Sequence, residues 1–187
     1  MCLLKILLME AWVIGDIIMQ QEEGKEREDI FSMYKMTVNY DDLVDNVSSV
    51  IEYLMKKSDC FSVTVIIKKP YSQQPPVFNQ SEQFNDFIIK YYFDYKTWPV
   101  NFLGRLKHQI LIMCCCNKES REMLLKIPNI FIPEISMPED ICFYRNGKLW
   151  FATVSHEKLA FIFDAKKEDL KFFLKNGIAV HGCQNYD

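Results

Sequence analysis

Hydrophobic and polar positions alternate along this chain in a way that predicts helices and strands in turn. From residue 39 to about residue 57, Leu43, Val47, Val50, Ile51 and Leu54 recur at steps of three and four, the spacing of one buried helical face. Asn39 or Asp41 precedes that run and supplies a side-chain oxygen for the free N–H groups of a first turn. Residues 61–69 are β-branched and apolar and read as a strand that Pro70 ends, followed by an extended loop through Pro75-Pro76. From Ser81, the residues Phe84, Phe87, Ile88, Tyr91, Tyr95 and Trp98 again step by three and four, which predicts a second helix closed by Pro99. Residues 106–115 form an apolar run of strand length, and Asn117 caps a short helix that Pro128 stops.

The strongest local pattern lies in the last third. Two apolar runs, residues 141–145 and 149–154, flank Asn146-Gly147, a dipeptide that accepts the positive φ angles of a tight hairpin turn. A third run, 159–163, follows Ser155-His156-Glu157-Lys158, so three consecutive strands form an antiparallel meander. Asp164 is then placed to cap a last helix with Leu170, Phe173 and Leu174 inward, and Gly177 to end it. These elements predict an α+β fold, a mainly antiparallel sheet with a C-terminal β-meander packed by amphipathic helices. The expected inward set includes Val50, Leu54, Val65, Phe87, Tyr91, Ile112, Phe143, Phe151, Phe161 and Phe173.

Residues 1–35 read as an extension: an amphipathic helix with Leu4, Leu7, Leu8, Ala11 and Ile14 on one face, then a charged linker. Lys5, Glu10 and Asp16 interrupt its apolar stretch, which is too short for a membrane span. Residues 36–187 are then expected to form a single α+β domain. The 49% hydrophobic and 25% charged residues are those of a globular chain, and a net charge of −3 removes the usual reason for non-specific nucleic-acid binding. Seven cysteines, none in a Cys-x-x-Cys pair, suit buried thiols in a reducing cytoplasm, with Cys114-Cys115-Cys116 read as small core residues.

Candidate chemistry is sparse. Phosphate-cradling glycine loops, a nucleophile elbow and metal-ligand spacings are missing, so no cofactor and no metal site are expected. His156-Glu157 opens a zinc-helix motif, but Ala160 stands where the second histidine belongs. Asp41-Asp42 and Glu139-Asp140 fit helix-start and loop charges. Asp41, Asp45 and Glu52 fall on one side of a continuous helix, and Tyr92 widens the aromatic stripe beyond one face. In size and element order the chain resembles small cytosolic bacterial immunity proteins, a likeness of architecture alone.

The resulting expectation is a non-enzymatic cytoplasmic protein-binding module of immunity or inhibitor type. Its contact residues would be Asp41, Asp45, Glu52 and Tyr92, and its partner a protein with a basic surface. One alternative is a small hydrolase-like enzyme using His156 and Glu157 with Tyr144 or Arg145 nearby. Another is a nucleic-acid module using the last helix, where Lys166, Lys167, Lys171 and Lys175 make a basic face that Glu168 and Asp169 interrupt.

Overall fold

A computed structural model describes residues 35–67, 82–93, 108–132 and 140–182. It is an α+β fold built on one eight-stranded antiparallel sheet. In chain order the elements are β1 (Lys35–Val38), α1 (Tyr40–Asp45), α2 (Val47–Lys57), β2 (Cys60–Ile67) and β3 (Ile88–Phe93). They continue with β4 (His108–Cys115), α3 (Lys118–Lys126), β5 (Ile141–Arg145), β6 (Lys148–Val154), β7 (Leu159–Phe163), α4 (Lys167–Lys175) and β8 (Val180–Gly182). The strands lie in the order β3-β4-β2-β5-β6-β7-β1-β8. The predicted meander is its centre: Phe143 faces Phe151, and Ala152 faces Phe161. Asn146 and Gly147 take φ of 52° and 75°, the left-handed pair that a two-residue hairpin needs.

Alternation along the strands divides the apolar residues between two sheet faces. On one face Phe61, Val63, Ile110, Ile112, Phe143 and Phe151 meet Val50, Ile51 and Leu54 of α2, Leu124 of α3 and Phe173 of α4. On the other, Cys60, Leu111, Met113, Cys142, Ala152, Phe161 and Phe163 form a separate buried cluster. Nine of the ten residues expected inward belong to the helix-covered core or pack against it, whereas Phe161 belongs to the second cluster.

Four expectations are corrected. The helix predicted from residue 39 to 57 is two helices broken at Asn46, whose φ of −112° is not helical and whose side chain donates to the Asp42 carbonyl. The helix predicted from Ser81 is a short 3-10 turn (Glu82–Phe87) running into β3. There, Tyr91 and Tyr92 pair with Ile112 and Leu111 across a ladder containing a register shift. Ladder hydrogen bonds to β4 outweigh a stripe of Phe, Ile and Tyr, residue types that suit strands better than helices. The predicted positions Ser81, Tyr95 and Trp98 lie outside the described residues. The final helix is capped from Lys166 rather than Asp164, and Leu174, expected inward, is 63% exposed while Phe172 takes the packed flank. Lastly, β1 and β8 were not foreseen, because four and three residues are too short to show a period. They pair with each other, and β1 joins β7, so the chain closes its sheet with both ends of the described fold. The expected extension lies outside the described residues, apart from Lys35, which opens β1.

Candidate functional site

The residues expected to contact a partner are distributed over two parts of the molecule. Asn39 caps α1 by accepting from the Asp42 N–H at 3.1 Å. Asp42 in turn accepts from the Ala179 N–H at 2.9 Å, fastening α1 to the entry of β8. That inward role leaves Asp41 and Asp45, four residues apart, exposed on α1. Glu52 is also exposed, on α2, but the break at Asn46 removes the helical spacing that joined it to the other two. Tyr92 belongs to the second apolar cluster on edge strand β3, with Lys90 Nζ 5.0 Å from its ring centroid. Six ladder steps of about 4.8 Å separate β3 from β1, so Tyr92 is not brought beside the acidic helix.

His156 and Glu157 are exposed in a 3-10 turn between β6 and β7, with His156 Nε2 3.6 Å from Glu157 Oε1. Tyr144 and Arg145 stand at the other end of the seven-residue β6, roughly 20 Å away at about 3.4 Å per residue. They also point to opposite faces. Tyr144 is buried in the second cluster, its hydroxyl 3.2 Å from Ser62 Oγ, and Arg145 turns towards the helices. The structure therefore does not gather these four side chains into one place.

Two buried polar arrangements among the described residues are not legible in the sequence. In the first, Asp169, completely buried, accepts from Arg145 Nη1 and Nη2 at 3.1 and 2.9 Å, from the Tyr53 hydroxyl at 2.8 Å and from the Lys166 N–H at 2.9 Å. Burial alone would raise the Asp169 pKa; the Arg145 guanidinium, the Lys166 N–H and the Tyr53 hydroxyl outweigh it and hold the carboxyl below its ordinary value. The Tyr53 hydroxyl is pushed up by burial and by the carboxylate it donates to. Arg145 also lies 3.8 Å from the Trp150 ring centroid, and Tyr53 stacks on Phe172 at 3.8 Å. Together these contacts bind α4 to α2 and to the β5–β6 hairpin. The only local signal was an Asp three residues into a helix, a position that caps a helix start.

In the second, Asp140 is buried, not a loop charge as expected, and its Oδ1 accepts from the Ser155 N–H at 2.8 Å. Beside it Thr153 Oγ1 bridges the N–H and carbonyl of Ile141, and the Tyr40 hydroxyl donates to the Phe131 carbonyl. Burial raises the Tyr40 pKa.

The node around Asp169 changes the reading of α4. Asp169 faces inward and leaves the surface, whereas Glu168 stays exposed beside Lys166, Lys167, Lys171 and Lys175 and is paired with Lys57 at 2.8 Å. The exposed side of α4 and its cap carries four lysines, with Leu174 and the paired Glu168 among them. Among the described residues no group of His, Cys, Asp and Glu is arranged to hold a metal ion, and no helix is long and apolar enough to cross a membrane. Compared with protein-family models, curated proteins and solved structures, the chain matches none.

Proposed function

We propose that this protein is a non-enzymatic binding module, of inhibitor or immunity type, that engages a protein partner through the acidic side of α1. The observation that carries this reading is the division of labour between adjacent carboxylates. Asp42 is committed to the fold, while Asp41 and Asp45 are exposed and, among the described residues, ion-paired to nothing. Two unpaired carboxylates on a rigidly capped helix attract a basic surface and accelerate encounter more than they add affinity. A cytoplasmic setting accords with buried thiols such as Cys60, Cys114 and Cys142.

The test is affinity capture from the native cell, followed by association kinetics with the recovered partner. Replacing Asp41 and Asp45 together by Lys is expected to slow association severalfold and flatten its salt dependence. Unchanged kinetics would overturn the reading. A second reading rests on the exposed lysines of α4, with Asp169 turned inward and Glu168 neutralised by Lys57, which suit an anionic partner such as nucleic acid. It predicts salt-sensitive retention of a duplex or single strand that Lys167→Glu with Lys171→Glu abolishes.

A further inference from the structure

The sheet places two cysteines from distant parts of the chain directly opposite each other. Cys60 opens β2 and Cys115 ends β4, and they are register partners in the antiparallel ladder. The neighbouring pair fixes which kind of position this is. The Cys116 N–H donates to the Asp59 carbonyl at 3.1 Å, so Asp59 and Cys116 occupy a hydrogen-bonding pair position of the ladder, with one bond made because the Asp59 N–H goes to the Tyr144 carbonyl. Such pairs alternate along an antiparallel ladder, which makes Cys60 and Cys115 a non-hydrogen-bonded pair. Their Cα atoms are then about 4.5 Å apart with side chains converging on one face, inside the roughly 4.4–6.8 Å window in which a disulfide closes.

Cys142 shares that face but stands opposite Ser62, not Cys60, in the β2–β5 ladder, and two further thiols are directed to the other face. Cys114 points into the helix-covered core, and Cys116 Sγ lies 3.7 Å from Met55 Sδ on that side. Cys60 belongs to the opposite cluster, and alternation puts Cys115 on that face with it. The two differ in access: Cys60 is buried, whereas Cys115 is half-buried at the strand end, with Asn117 Nδ2 3.4 Å from its sulfur.

We propose that Cys60 and Cys115 are an oxidative modification site, a dithiol that a small-molecule disulfide converts into a cross-strand disulfide joining β2 to β4. Cys115, the more accessible sulfur, loses its proton and attacks one sulfur of the small disulfide. The S–S bond of that molecule breaks and one thiolate leaves, taking up the proton. Cys60 then gives up its proton and attacks the Cys115 sulfur, expelling the second thiolate, which is protonated in turn. Two protein thiols are oxidised to one disulfide, and one small disulfide is reduced to two thiols. Burial, with the charges of Asp59 and Cys115, raises the Cys60 thiol to about 12, which fits it to the second, intramolecular step rather than to opening the sequence.

The experiment incubates the reduced full chain with oxidised glutathione, quenches with acid and alkylating reagent, and maps the peptides by mass spectrometry. The expected product is a linked Cys60–Cys115 peptide pair without retained glutathione. Cys60→Ser is expected to trap glutathione on Cys115, and Cys115→Ser to lose the linkage and that adduct. Stable glutathione on Cys115 of the wild-type chain, linkage through Cys114, Cys116 or Cys142, or unreacted thiols in the folded chain that oxidise once it is unfolded in urea would each overturn the proposal. Serine is nearly isosteric with cysteine, and circular dichroism of both variants shows that loss of linkage is not loss of fold.

Discussion

Two buried carboxylates show how the same group is used differently at opposite ends of the meander. Asp169, on the inner side of α4, meets a full guanidinium, a phenol and a backbone N–H. Asp140 sits where β5 begins and accepts from the backbone of Ser155 across the sheet end. The first joins separate elements by charge, so removing it strands a partner. The second accepts from a backbone N–H across the sheet end, a contact that a neutral oxygen can also make. A buried ion pair adds little over an apolar substitute, yet breaking it by removing one side is costly.

The largest expected effect follows from that asymmetry. Asp169→Ala leaves Arg145, whose side chain is only 12% exposed, without its partner and should cost about 3–5 kcal/mol in urea unfolding. Replacing both residues, Arg145→Met with Asp169→Leu, should recover part of that loss; a double variant no more stable than Asp169→Ala would show that packing, not charge, holds α4. The node also predicts an acid dependence. The folded-state pKa of Asp169 lies below its unfolded value, so its contribution is complete above the ordinary carboxylate range and is lost as pH falls through the folded pKa. Asp169→Asn should therefore flatten the stability profile below about pH 4 relative to wild type, measured by thermal melts at stepped pH.

Asp140→Ala should cost less, about 1–3 kcal/mol, the penalty of an orphaned buried N–H. Asp140→Asn, which keeps an acceptor oxygen, should cost less still. Equal losses for Ala and Asn would mean that the negative charge itself matters at this end, and the contrast with Asp169 would fail. The smallest stability effect is expected where function is proposed. Asp41→Lys and Asp45→Lys each alter an exposed position and should shift unfolding by no more than about 1 kcal/mol, Asp41 more because it lies in the first turn of α1. A larger shift would place these side chains in the fold and weaken the case for a contact surface.

The hairpin, the Asn117 cap, the left-handed Gly177 and most of the core follow from residues near one another in the chain. Turn chemistry, capping and hydrophobic period act over a few positions, and a single sequence displays them directly. The stripe at residues 84–91 carried the same information and misled, since its aromatic and β-branched types are compatible with both elements and its fate depended on finding β4 as a neighbour. Asp41 and Asp45 were legible as an acidic face because a four-residue spacing is local; their separation from Tyr92 was not, because strand order decides it.

What the tertiary structure alone decided are the meetings of distant residues. Asp169 and Arg145 are 24 positions apart, Tyr53 and Asp169 116 apart. Neither β1 nor β8 is long enough to announce itself; β1 is held by the edge of β7, and β8 by the edge that β1 then offers. Composition and period determine that a chain will form strands and amphipathic helices. Which carboxylate is buried and which is left in water depends on the register and packing of elements that come together only when the chain folds.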